Sequence, residues 1–247
     1  MTALESQGLQ KTYPGATQPA LRGLDLAVAE GEFFGLLGPN GAGKTTAISI
    51  FTGLRAPSSG TVRIFGHDLQ RADPDVRRRI GLGPQDIALY PTLTVRENLQ
   101  YFGGLYGLHG EDLRRRVADG LARVALSDSA DRPVDTLSGG MKRRANLAAG
   151  LVHGPTLLFL DEPTVGVDAQ SRAAIVATLE DLSRAGVTII YTTHYLEEAE
   201  RLCGRVAIID NGRVLASGAP RALVEGTVGS ANLEDVFLHL TGRGLRD

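Results

Sequence analysis

The 247-residue chain is short of several things, and each shortage excludes a class of protein. Its one cysteine, Cys203, cannot close a disulfide within the chain, and such sparse usage fits a reducing compartment. No apolar run approaches the ~18 residues that a membrane-spanning helix needs. The opening stretch, MTALESQGLQKTYPG, has none of the apolar core of a secretion signal. Charge of either sign is not in excess: 26 Lys and Arg against 28 Asp and Glu leave a formal net charge of -2. That is too little for bulk attraction to nucleic acid or to an anionic membrane, although a local basic patch stays open. Internal repeats and low-complexity segments are missing as well. What is left is 43% hydrophobic and 22% charged, the profile of a soluble, cytosolic globular protein. The length suits one domain, or two closely joined lobes, with a sizeable core.

Periodicity gives the outline. LRGLDLAVAEGE (Leu21 to Glu32) alternates as a strand does, and FFGLLG is a short apolar run ending in Gly38. A helix is expected over KTTAISIFTGL, stopped by APSSG, with a further strand at TVRIFG. From about Tyr90 to Gly154 the pattern turns helical. Leu113, Val117, Leu121, Val124 and Leu126 share an apolar face, while Arg114, Arg115 and Arg116 fall on the solvated side. Strands return at TLLFLDEP and VTIIYTTH, with a helix between them. VAIIDNGRVLASG reads as a hairpin turning at Asn211-Gly212, and LEDVFLHLTGR as a short terminal helix. The order predicts an α/β fold: a mostly parallel sheet into which one helical lobe is inserted.

The stretch GPNGAGKTT comprises Gly38, Pro39, Asn40, Gly41, Ala42, Gly43, Lys44, Thr45 and Thr46 and satisfies G-x-x-x-x-G-K-[ST]. Glycines let such a loop curl so that successive backbone N–H groups point at a phosphate. The helix that follows offers its positive end to the same anion. Lys44 then neutralises the outer phosphates, and the Thr45 hydroxyl can ligate Mg2+. The pattern stands after an expected strand and before an expected helix, the context it requires.

TLLFLDEP ends a continuous apolar strand in Asp161 and Glu162, at the sheet edge where ligands of open α/β sheets bind. Asp161 suits Mg2+, and Glu162 suits polarisation of an attacking water. The bland alternative is that such carboxylates only cap the next helix. His194, ending VTIIYTTH, is open between a contact to the terminal phosphate and an ordinary hydrogen-bonded surface or core role, and Gln85, in GLGPQD, is similarly ambiguous.

A second glycine pair opens another helix. In TLSGGMKRR, Ser138 is an N-cap candidate, and Gly139 and Gly140 leave the first helical N–H groups bare to an anion. Lys142, Arg143 and Arg144 read as a solvated or interlobe face with no part in catalysis.

Taken in order, GPNGAGKTT, Gln85, LSGGM, LLFLDEP, VGVD and His194 resemble the motif set of ATP-binding cassette (ABC) proteins. The resemblance implies a P-loop NTPase of RecA-like type with an antiparallel β subdomain and an inserted helical subdomain. It implies a head-to-tail dimer with ATP held between one subunit's P-loop and the other's signature helix. Tyr13 then resembles the aromatic that stacks on adenine, and Gln85 the glutamine that senses Mg2+ and the attacking water. Ser138, Gly139 and Gly140 match contacts to the partner's γ-phosphate, Asp168 the loop aspartate reaching across the dimer, and His194 the switch histidine. Thr45, Gln85 and Asp161 would hold Mg2+, with Glu162 as the base. Met141 departs from the commoner glutamine, which leaves the serine and backbone contacts in place.

LSGGMKRR, EPTVGVDAQSR and LEDVFLHLTGR resemble a narrower branch, the export cassettes of drug-resistance, polysaccharide and nodulation-factor type. Separate transmembrane permease subunits and a second cassette, identical or homologous, are the partners this implies, with the chain peripheral on the cytoplasmic face of the membrane. The expected division is a nucleotide-binding domain over 1–225, its helical subdomain at about 88–154, and a helical extension over 226–247. A soluble ABC ATPase acting on ribosomes or DNA, and the ATPase of an importer or lipoprotein-release system, are the alternatives. A GTPase is disfavoured, since no N-K-x-D guanine-reading motif is present.

Overall fold

A computed structural model of the chain describes residues 1–71 and 74–242. In chain order the elements begin with β1 (Thr2–Lys11), β2 (Leu21–Ala29), β3 (Phe33–Leu37), α1 (Lys44–Phe51), β4 (Ser59–Ile64), β5 (His67–Asp68) and α2 (Pro74–Arg78). They continue with β6 (Ile80–Gly83), α3 (Val95–Leu105), α4 (Gly110–Arg123), α5 (Gly139–Leu151), β7 (Leu157–Asp161) and α6 (Ala169–Arg184). The last are β8 (Thr188–Thr193), α7 (Leu196–Leu202), β9 (Arg205–Asp210), β10 (Arg213–Gly218), α8 (Pro220–Gly226) and α9 (Leu233–Thr241). These gather into two compact units, one of Met1–Arg77 with Thr188–Asp247, the other of Arg78–Val187.

The first unit holds an antiparallel sheet in the order β2-β1-β4-β5 and, separately, neighbouring strands β10-β9-β3-β8. Strand β2 buries alternate residues, as its sequence alternation predicts, because one face of an antiparallel sheet packs inward. Strands β3 and β8 are buried at every position. They run parallel to one another, and β9 runs parallel to β3, where a continuous apolar run is what a strand covered on both faces requires. Gly35 in β3 has a packing reason: a Cβ there would stand 2.9 Å from both Cys203 Sγ and Val206 Cγ1. The β9–β10 hairpin turns at Asn211 (φ 48°) and Gly212 (φ 73°), two residues that tolerate left-handed backbone.

The second unit pairs β6 parallel with β7, from Ile80 opposite Leu157 to Gly83 opposite Leu160. Three helices, α3 to α5, are inserted in the chain between these two strands. Helix α3 opens on a capping box, Thr94 accepting from the Glu97 N–H while the Glu97 carboxylate accepts from the Thr94 N–H. Helix α4 buries Val117 and Leu121 as its periodicity predicts. Arg116 departs from the expected solvated face: it is half-buried and lies 3.6 Å from Asp112.

Six elements lie where the sequence reading placed none: β1, β5, α2, β6, α7 and α8. Strand β1 hides its alternation behind a register shift between Ser6 and Leu9, with Gly8 at φ 56°. The buried Ser6 spans the irregularity, donating to Leu24 O (3.1 Å) and accepting from Leu26 N (3.1 Å). Strand β6 is only IGLG, too short and too glycine-rich for a periodic signal. The fold is nonetheless the expected α/β class, with parallel core strands, an antiparallel sheet and an inserted helical segment.

Candidate functional site

In the first unit the phosphate-loop motif is a tight cradle. β3 delivers the chain to Gly38, where a Cβ would stand 2.3 Å from Ile209 O, so no side chain fits. Gly43, at φ 106°, has its own conflict: a Cβ would meet Ala20 O at 2.6 Å. Gly41 is different, at φ 80° with open space around it. The first two glycines serve close packing and the third serves curvature. Helix α1 then starts at Gly43 without a side-chain cap, which leaves its positive end to an external anion.

Lys44 is 6% exposed, and its Nζ donates to Gly38 O (2.6 Å) and Pro39 O (3.2 Å). Its charge is thus held over the loop by neutral carbonyls, which an anionic phosphate can outcompete. Thr45 is exposed next to it, while Thr46 shares a hydrogen bond with the Tyr13 hydroxyl (3.2 Å). The Tyr13 ring has Arg55 5.4 Å and Lys11 5.6 Å from its centroid. His194 follows β8 directly, half-buried, with its ring 4.4 Å from that of Tyr195. Tyr13, the loop from Gly38 to Thr46 and His194 therefore all belong to one unit.

In the second unit the ends of β6 and β7 lie side by side. Gly83 pairs with Leu160, so Gln85 leaves one strand just as Asp161 and Glu162 leave the other. Gln85 is exposed, whereas Asp161 is 2% and Glu162 6% exposed. Glu162 adopts φ +49°, a conformation that costs a residue with a Cβ something and that sequence reading did not anticipate. Such outliers gather where a side chain must be aimed.

Helix α5 begins as expected: Ser138 is exposed and its Oγ accepts from Met141 N (3.3 Å). The two glycines behind it divide the work. Gly139 has nothing within 4 Å of its missing Cβ, so its bareness faces open space. A Cβ on Gly140 would meet Ser171 Oγ at 2.0 Å and Asp168 Oδ2 at 2.6 Å, so that glycine is a packing requirement. Asp168 caps α6 by accepting from Ser171 N (2.9 Å), and these helix N–H bonds hold its carboxyl below the usual range. Sequence reading saw only the motif aspartate and missed this capping role.

The basic run after the glycines corrects the expectation most clearly. Lys142 is half-buried and donates to Asp135 O (3.1 Å), and Arg144 to Val124 O (2.8 Å) and Ala125 O (2.9 Å) at the end of α4. Arg143 is buried and donates to Pro84 O and Gln85 O. Helix polarity alone could not tell these bound cations from solvated ones. Their partners are carbonyls well separated along the chain.

The residues present fit Mg2+ and a nucleotide polyphosphate. In the first unit Thr45 offers a hydroxyl oxygen, and in the second, taken by itself, Asp161 offers a carboxylate and Gln85 a neutral amide oxygen. Among the described residues there is no cluster of three or more His, Cys, Asp or Glu able to hold a metal. So few donors in either unit suit an ion completed by phosphate oxygens and water. No helix among the described residues is long and apolar enough to cross a membrane.

Comparison with known proteins agrees with this chemistry. A profile of the family described as ABC transporter matches residues 21–165. The linearmycin resistance ATP-binding protein LnrL of Bacillus subtilis (strain 168) is 43% identical over 99% of this chain and 76% of its own length. The Nod factor export ATP-binding protein I of Paraburkholderia xenovorans (strain LB400) is 45% identical over 94% of this chain and 76% of its own. Among solved structures, the dimeric post-hydrolysis state of the ATP-binding cassette MJ0796 bound to ADP and Pi superposes with a TM-score of 0.80. It is 28% identical, with 87% of this chain and 98% of that one covered. With over half its length matched by the profile and relatives this similar, the chain belongs to the ABC transporter family, as an ATP-binding cassette of P-loop NTPase fold.

Proposed function

We propose that this chain is the ATP-hydrolysing subunit of an exporter, working as a head-to-tail pair over two ATP with a second copy or a homologous cassette. The observation that carries the reading is the start of α5. An exposed Ser138 and an open Gly139 begin a helix in one unit, while the other unit already has its own complete phosphate loop. Two anion-binding helix ends in one chain are explained when each nucleotide takes one end from each protomer.

In this reading the backbone from Gly38 to Thr46 and the Lys44 ammonium hold the phosphates, and Tyr13 stacks on the base. Glu162 draws the proton from the attacking water, Gln85 orients that water, and His194 contacts the terminal phosphate. Ser138, Gly139, Gly140 and Asp168 act on the partner's nucleotide. Thr45, Gln85 and Asp161 would hold Mg2+, which supplies charge neutralisation on the phosphates. Residues 1–225 form the cassette, with a helical subdomain at about 88–154. The remainder, 226–247, is a helical extension whose last five residues lie outside the described ones. Export through separate transmembrane subunits, at the cytoplasmic face of the membrane, is supported by relatives named for resistance and for Nod factor export.

The test joins catalysis to assembly. Glu162→Gln is expected to retain ATP while losing on the order of 10²- to 10⁴-fold in turnover. In Mg-ATP that variant should double its mass by light scattering, and Ser138→Arg in the same background should stay monomeric. Parental hydrolysis in Glu162→Gln, or a dimer undisturbed by Ser138→Arg, would overturn the reading. The membrane protein that co-purifies with the chain identifies the permease.

A further inference from the structure

The motifs account for both ends of the second unit's chemistry but not for the buried cation between them. Arg143 lies one turn into α5 and is 9% exposed. One guanidinium nitrogen donates to Pro84 O (3.2 Å) and to Gln85 O. Its side chain borders a small cavity with Gly83 and Pro84 from the end of β6 and with Leu160 and Pro163 from the end of β7. Asn146, on the next turn, donates to Pro84 O (3.1 Å) and Asp86 O (3.4 Å) and accepts from Ala88 N (3.0 Å). The backbone from Pro84 to Ala88 is thus attached to α5 by two side chains.

Burial of a guanidinium is costly, and desolvation pulls the Arg143 pKa down. The negative charges of Asp86, Asp161 and Glu162 oppose that shift. A buried charge is poor value as packing, since an apolar side chain of similar size does as well or better. Its worth lies in direction: it meets carbonyls on one strand end while its field acts on carboxylates at the other.

We infer that Arg143 is a positioning residue for hydrolysis: it fixes the Gln85 backbone beside the strand end bearing Asp161 and Glu162 and links both to the helix that starts at Ser138. This rests on the function proposed above. A displacement of the α5 start is carried through Arg143 and Asn146 to the Gln85 segment, so occupation of Ser138 by a partner's nucleotide reaches the protein's own water-orienting group.

Four proteins decide the matter: the parent, Glu162→Gln, Arg143→Gln and Arg143→Lys, each titrated with ATP in steady state after its thermal midpoint is recorded. Arg143→Gln, folded, is expected to keep KM within about twofold and to lose about tenfold or more in kcat, since the group acts only as the reaction proceeds. Arg143→Lys restores the charge but not the planar guanidinium, and should lose only about threefold in kcat. A merely structural role would leave kcat and KM at parental values in both folded variants, or lower activity only in step with the melting temperature. Either result overturns the inference. If Arg143→Gln does not fold, Arg143→Lys stands alone, and parental kcat and KM in it overturn the inference. A parent without ATPase activity, or a Glu162→Gln variant as active as the parent, sinks the function reading and this inference with it. An active parent, an inactive Glu162→Gln and unaltered Arg143 variants sink the positioning role alone.

Discussion

Thr193 lies opposite Leu37 in the parallel pairing of β8 with β3, so His194 and Gly38 leave neighbouring strands at the same level. The strands that deliver the histidine and the root of the phosphate loop are thereby held by a backbone ladder. His194 is half-buried, and its removal leaves the strands paired. His194→Ala is expected to fold normally, bind ATP with parental KM and lose on the order of 10²-fold in kcat, the low end for a positioned polar group. Steady-state kinetics beside a thermal melt would show it, and parental kcat would remove His194 from the reaction.

Gly139 and Gly140 should separate function from stability. Gly140→Ala drives a methyl into Ser171 and Asp168 and is expected to cost about 1–3 kcal/mol, as overpacking does. Gly139→Ala meets nothing, and its folding stability should stay within about 0.5 kcal/mol of the parent. If the open face receives a phosphate, Gly139→Ala still lowers ATP-driven dimerisation. Urea unfolding and light scattering on both variants check the two halves independently.

Asn98 is fully buried and makes four hydrogen bonds to the segment that follows Gln85. Its amide donates to Tyr90 O (3.0 Å), Leu93 O (3.3 Å) and Thr94 O (2.9 Å), and its carbonyl accepts from Tyr90 N (2.8 Å). Asn98→Leu is close in size but takes the side-chain acceptor from Tyr90 N, at about 1–3 kcal/mol for one buried N–H left unpaired, while the Tyr90, Leu93 and Thr94 carbonyls keep backbone donors. A drop in denaturation midpoint of several degrees is expected. An unchanged midpoint would show that water enters and replaces the side chain.

Cys203 should be inert in the native protein. It is buried, and desolvation, reinforced by the charges of Glu198 and Glu32, pushes its thiol pKa up. A raised pKa keeps the thiol protonated at neutral and mildly alkaline pH, and only the thiolate reacts. Ellman's reagent is expected to find almost no thiol at pH 8 in buffer and one per chain in denaturant. Rapid native labelling would mean that the α7–β9 junction opens readily.

Much of this was legible without coordinates because its causes are local. A glycine loop before a helix, an apolar strand ending in two carboxylates, an N-capping serine and an Asn-Gly turn are each decided within a few residues of chain. The motif order therefore identified the P-loop, the acidic strand and the signature helix, and with them the family. What only the tertiary structure decided involves partners far apart in sequence. Arg143, expected on a solvated or interlobe face, is buried and finds the carbonyl of Gln85, 58 residues away. Gly140 has no room for a side chain because Ser171 and Asp168 close over it, a packing demand separate from any anion contact of its backbone. The left-handed backbone of Glu162, and the short strand β6 that sets Gln85 beside it, carry no periodic signature. Burial and pairing are properties of the assembled chain, and a sequence window of a few residues holds no record of which distant carbonyl a cation will meet.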